Sequence, residues 1–291
     1  MASYHDDSRS RFDRSFETFD ALLECADAPG WQRNRSSRRH GMSDWAGTPD
    51  WETAIRQARY GWPEGLARMS EMAARLERAV AQRARSRQEV FWDVAGSVVD
   101  VGRFVTGDPE NMMEFEPQPQ DARGRIFVLK VNLSASASVD SKVLFWRGAA
   151  IMGLTDLLEK NGFSVEIQGC EAVHSGGLRY VVRFPVKAAG AMLDQDRLAF
   201  ALASPSMLRR VLFAVEENES PAIVERMGFN CGGGYGCPAD DDAPSGEDNG
   251  IVLPSLKGWE RNFRDLDGAT DWVIERARAV LGAELVPGGG E

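Results

Sequence analysis

The sequence predicts an α/β protein: a mainly parallel sheet flanked by helices, preceded by a helical N-terminal region. Three observations carry this. Ile126-Phe127-Val128-Leu129-Lys130-Val131 is a short β-branched run of the kind a sheet buries on both faces. A small-residue loop, Ser134–Ser138, follows it, and then a long segment from Asp140 to Asn161 whose inner part is apolar nearly all round. Phe163–Ile167 reads as the next strand, and Ser175-Gly176-Gly177 joins it to an antiparallel partner, Tyr180–Val186, expected at or near an edge of the sheet.

Residues 1–47 are polar and mixed in charge, so a flexible tail is expected there. Within it Phe16, Phe19, Leu22 and Leu23 fall at helical spacing over residues 13–26. Residues 32–40 form a basic run without apolar anchors and read as a solvated linker. A helical region is expected over 48–120. Thr48 can cap, Pro49 suits a first helical position, and Asp50 and Glu52 favour the positive end of the helix dipole. Gly61 stops that helix. The next runs from Pro63 to about Arg87 with Leu66, Met69, Ala73, Leu76 and Val80 on one stripe. Phe91, Trp92, Val94, Val98, Val99, Val101, Phe104 and Val105 are apolar enough to be buried. Pro117-Gln118-Pro119-Gln120 reads as a linker, so the α/β domain is placed at residues 121–286. Beyond the hairpin, helices open at Asp194 and at Ser204-Pro205. A glycine-rich then acidic loop follows at 230–250, then a brief strand at Ile251–Leu253 and a last helix over about 268–282.

Composition excludes several classes. The net charge is −10, which argues against a general nucleic-acid coat. No stretch reaches the roughly 18 consecutive apolar residues of a membrane-spanning helix. The first residues lack an apolar signal core, so a cytoplasmic setting with reduced thiols is expected. Cys231 and Cys237 flank Gly-Gly-Gly-Tyr-Gly. That spacing is too wide for a zinc knuckle, and a turn with two incidental thiols is the expectation. Neither a phosphate-binding loop, a nucleophile elbow nor a His-Glu-x-x-His helix occurs, so a non-enzymatic role is expected.

The strand-end loop is where open α/β sheets place ligands. There Val131-Asn132-Leu133-Ser134-Ala135-Ser136 resembles the first-strand Asp-x-Ser-x-Ser motif of von Willebrand factor type A domains. The likeness covers about residues 124–286, and the antiparallel hairpin fits that family. It implies a magnesium site at Asn132, Ser134 and Ser136, with no other cofactor. An asparagine stands where the family has its aspartate, so the site lacks one charge that a hard cation wants. Oxygen from Asp140 or Asp240–Asp242 is a further candidate. The resemblance implies a protein-interaction or assembly module whose partner is an ATPase or a phage-encoded complex. Residues 58–65, Asp100–Phe104 and Arg147–Ala150 are similar to segments of bacteriophage and actinobacterial proteins. The alternative is a nucleic-acid-associated regulator using Arg33, Arg35, Arg38 and Arg39 with Arg83, Arg85 and Arg87.

Overall fold

A computed structural model describes residues 2–7, 11–30, 35–71, 74–75, 90–94, 98–115, 126–191, 194–229, 234–240, 250–258 and 260–281. The expected α/β architecture is present. Its main sheet contains β1 (Ala2–Asp7), β2 (Arg11–Phe16), β6 (Ile126–Asn132), β7 (Ser164–Ser175), β8 (Leu178–Lys187) and β10 (Gly250–Leu253). They lie in the order β1-β2-β8-β7-β6-β10, with the short β9 (Cys237–Pro238) beside the far end of β7. Three of the five pairings on that path are parallel: β2 with β8, β6 with β7, and β6 with β10.

The first strand of the predicted core behaves as its composition requires. β6 is paired on both sides, and Phe127, Leu129 and Val131 enter the core. The long helix spans Ser141–Lys160, and Asp140 caps it by accepting from the Lys142 N–H at 2.8 Å. It crosses the helix Gln195–Ala203 so closely that a Cβ on Gly148 would lie 2.3 Å from the Leu202 carbonyl oxygen. Glycine is required there. Gly176 and Gly177 take φ of 55° and 80° between the paired Ser175 and Leu178, which is the backbone a two-residue hairpin needs.

The N-terminal region departs from expectation. Residues 11–27 are not a flexible tail. β2 pairs in parallel with β8 from Arg11↔Arg179 to Ser15↔Arg183, and the helix Phe19–Asp27 follows it. Phe12, Phe16, Leu22 and Leu23 are buried. The segment looks polar because its outward face is charged and paired: Asp13 accepts from Arg11 at 3.0 Å and from Arg183 at 2.7 Å. On its inward face Arg14 pairs with Glu219 at 2.5 Å. β8 is consequently an interior strand, not an edge.

Residues 48–120 are only partly helical. The helix Trp51–Tyr60 forms, capped by Asp50, and helical backbone resumes over 63–71. Downstream, β3 (Val90–Asp93), β4 (Val98–Val99) and β5 (Met112–Phe115) build a small antiparallel sheet, with a short helix at Val101–Val105. Of the apolar side chains expected inside this region, those of Trp92, Val94, Val99, Val101, Phe104 and Val105 are exposed, and those of Phe91 and Val98 fall outside the described ones. Val94, Val101, Phe104 and Val105 are each more than 60% exposed, because strands this short cannot enclose a core of their own.

The helix after Ser204-Pro205 opens with a π-helical segment, Met207–Leu212, before Phe213–Glu217. The last helix spans Leu266–Leu281. Among the described residues, no single helix is long and apolar enough to cross a membrane.

Candidate functional site

The site begins where β6 ends. Asn132 is buried, and its amide is fully used: Nδ2 donates to the Ala239 carbonyl at 2.7 Å, while Oδ1 accepts from the Ser134 N–H at 3.0 Å. Ser134 Oγ accepts from the Ala172 N–H at 2.8 Å. Ser136 turns to Ser138, their hydroxyls 3.1 Å apart. The three residues therefore knit β6 to β7 and to the segment before β10. Asp240 is occupied too. It accepts from the Ser255 N–H and hydroxyl and from Lys257, and despite partial burial these donors hold its carboxyl below the usual range.

The implied magnesium ion does not fit the described donor set. Among the described residues no carboxylate is bonded to Asn132, Ser134 or Ser136, and no three His, Cys, Asp or Glu stand together as metal ligands; Asp241 and Asp242 fall outside the described residues. Asn132→Asp is expected to destabilise the fold by about 1–3 kcal/mol, since a carboxylate cannot donate to Ala239. Thermal melts with and without millimolar magnesium check this. A magnesium-dependent gain in the variant would restore the metal reading.

Against this loop lies a pocket of about 330 Å³, a size found for small-molecule sites. Ser134, Ala135 and Ala137 form one wall, and Glu171 and Val173 of β7 lie beneath. Leu208, Arg209 and Phe213 come from the π-helical turn and its continuation, an irregularity often kept at functional sites. Arg209 is buried, donates to the carbonyls of Trp45 and Val139, and lies 4.6 Å over the Trp45 ring. Burial lowers its pKa to about 10, which leaves it charged at neutral pH.

Tyr235 closes the pocket from the glycine-rich loop. It sits between Gly234 and Gly236, at φ 83° and 77°, and its ring stacks on Phe213 at 3.7 Å. Its hydroxyl donates to Glu217. The loop thus presents an aromatic ring; Cys237 is an exposed free thiol, and Cys231 falls outside the described residues.

Four acids gather behind the pocket. Glu217 accepts from Arg35, Ser37 and Tyr235, and Glu219 from Arg14 and Tyr180. Glu171 and Glu216 are fully buried, and among the described residues neither carboxyl has a hydrogen-bond partner. Burial raises Glu171 to about 8. Burial, and then repulsion from Glu171, Glu217 and Glu219, drives Glu216 far above its ordinary range. The neutral form is the cheaper state for a carboxyl without a counter-charge.

The arginine run proves largely structural. Arg35 donates to Glu217 at 3.1 Å, and Arg38 lies 3.8 Å over the Trp51 ring and pairs with Asp27. Of the three described members of that cluster, Arg35, Arg38 and Arg39, only Arg39 is exposed, and it lines the pocket. Arg33, Arg83, Arg85 and Arg87 fall outside the described residues. Sequence reasoning placed the loop but missed Glu171, Glu216, Arg209 and Tyr235. The one signal available was Glu216-Glu217 and Glu219 at the end of a helix that is apolar but for Arg209 and Arg210.

Fold and site together define an α/β protein with a ligand-sized pocket at the carboxyl edge of β6 and β7. A family model described as a domain of unknown function (DUF7192) matches residues 5–279, and the chain belongs to that family. No curated protein and no solved structure matches it.

Proposed function

We propose that the chain is a non-catalytic binding module, of von Willebrand A-like architecture, that engages its ligand in this pocket without a metal ion. The observation that carries the reading is the convergence of the strand-end loop, β7, the π-helical turn and the Tyr235 loop on one cavity with an unpartnered acid in its lining. The order β8-β7-β6-β10, with β8 antiparallel, supports the von Willebrand A-like description. A binding role is favoured over catalysis because the Ser134 hydroxyl meets a backbone N–H rather than a base. None of the three described cysteines is joined in a disulfide, which suits a cytoplasmic setting.

Ala137→Trp tests the pocket, because Ala137 is exposed at its rim. Fragments that bind the wild-type chain by ligand-observed NMR are expected to lose that signal with the variant, at equal melting temperature. Fragment binding that survives the bulky ring would sink the reading.

A second reading, a protein partner held for assembly, is favoured by a different observation. Val94, Val101, Phe104 and Val105 expose apolar surface together on the small antiparallel unit, as interaction sites do. An ATPase or a phage-encoded complex is the partner class implied by family analogy. The nucleic-acid alternative has less support, since Arg35 and Arg38 are committed within the fold.

A further inference from the structure

We propose that the pocket takes an aromatic organic acid: its flat ring system lies against the rings of Trp45, Phe213 and Tyr235, and its carboxylate pairs with Arg39. This rests on the pocket being the binding site proposed above.

The accessible wall sets the body of the ligand. Trp45, Phe213 and Tyr235 all line the cavity, and each is only half-buried. Their rings run in one row: the Trp45 and Phe213 centroids are 6.3 Å apart, and Tyr235 stacks on Phe213 at 3.7 Å. The polar handles of the row are already used. Trp45 Nε1 donates to the Ala137 carbonyl at 3.2 Å, and the Tyr235 hydroxyl donates to Glu217. The row therefore offers ring faces and edges but no spare donor. That suits a flat apolar body better than a sugar or another polyol.

The charge of the ligand follows from the ionisable side chains around the cavity. Behind it, Glu217 pairs with Arg35 and Glu219 with Arg14, so these four cancel. Glu171 and Glu216 expose no surface and are not contacts for a ligand. Without counter-charges among the described residues, both are cheaper in the neutral form. Two guanidiniums remain. Among the described residues neither Arg39 nor Arg209 has an ion-pair partner, and Asp140, whose charge acts on Arg209, accepts from the Lys142 N–H. Arg209 is buried and gives its two Nη groups to the Trp45 and Val139 carbonyls, so it acts through its field alone. Arg39 is exposed and lines the cavity, so it is the cation that a ligand can touch. A positive pocket in a chain of net charge −10 selects an anion. One touchable guanidinium balances a single charge, and its planar fork matches the two oxygens of a carboxylate.

Isothermal titration calorimetry at neutral pH decides the matter, with naphthylacetate as the probe. Naphthylacetamide, naphthylethylamine and the saturated decahydro analogue of the acid are the controls. The acid is expected to bind the wild-type chain, and each control about tenfold more weakly or worse, a difference of about 1.4 kcal/mol. Arg39→Gln should bring the acid down to the level of the amide, and Arg39→Lys should keep part of the preference. Glu171→Gln should leave that preference unchanged, because a neutral side chain replaces a neutral one. An amide that binds wild type as tightly as the acid, with both lost in Ala137→Trp, would keep the pocket and overturn the acid. Absence of binding by naphthylacetate would overturn it as well, and so would a preference for the acid that survives Arg39→Gln. A saturated analogue that binds equally well would overturn the aromatic body. A tenfold gain for the acid in Glu171→Gln would reveal an ionised carboxylate behind the wall and overturn the charge balance. Binding that persists in Ala137→Trp would instead remove the pocket as the site.

Discussion

Arg210→Met is expected to cost about 4 kcal/mol of stability, or about 10 °C in melting temperature, one of the largest effects of any single side chain here. Arg210 is 2% exposed and donates to four backbone carbonyls. Nη1 reaches Ser37 and Arg39 at 2.9 Å each, and Nη2 reaches Gly41 and Thr48 at 3.0 and 2.8 Å. One planar fork therefore gathers the irregular chain from Ser37 to Thr48 onto the π-helical turn. Methionine fills similar volume but leaves those carbonyls without donors. Lysine offers three donors from one point and cannot span the same fan, so Arg210→Lys should recover less than half the loss. Hydrogen exchange should speed first in residues 35–48, which carry Arg39 and Trp45 of the pocket. A variant melting within 2 °C of wild type would show that solvent replaces the fork.

What could be read beforehand divides by the range of the interactions. The helix at Ser141–Lys160 and the hairpin at Gly176-Gly177 arise from local pattern, and the sequence expectations matched them within a few residues. The N-terminal strand did not disclose itself. Its alternation Phe12, Arg14, Phe16 makes sense only once Glu219, some 205 residues away, is known to receive Arg14. The strand-end loop was legible as a place, because β-run, small residues and capped helix follow one another in the chain. Its chemistry was not. Asn132 matched a metal motif, but its amide is claimed by Ala239, 107 residues on. The pocket is assembled from five separated stretches, so no spacing within any one of them could reveal Glu171.

Glu171→Gln is expected to flatten the pH dependence of stability between pH 5 and 8. The ordinary value of a glutamate is 4.5, and in the fold burial raises Glu171 to about 8. Between those values the unfolded chain has released the proton while the folded chain retains it. Stability is therefore fully present below the unfolded value and falls by about 1.4 kcal/mol per pH unit as pH rises toward the folded one. Glu216 adds a fall of the same sign, since burial and the repulsion of Glu171, Glu217 and Glu219 raise it as well. The aspartates held low, Asp13, Asp50, Asp100 and Asp240, start from 3.8 and titrate below this window, so they do not mask it. Glutamine keeps the size and removes the ionisation. At pH 5 the variant should match wild type or melt slightly lower, its amide being no better partnered. At pH 8 it should be the more stable by about 3 kcal/mol. Glu216→Gln should do likewise, and because the two acids lie close enough to interact, the double variant should not give the simple sum of the two changes. Melting curves at half-unit steps of pH measure all three variants. Parallel slopes in wild type and Glu171→Gln from pH 5 to 8 would mean that Glu171 is already ionised in the fold, with a counter-charge that its surroundings must then supply.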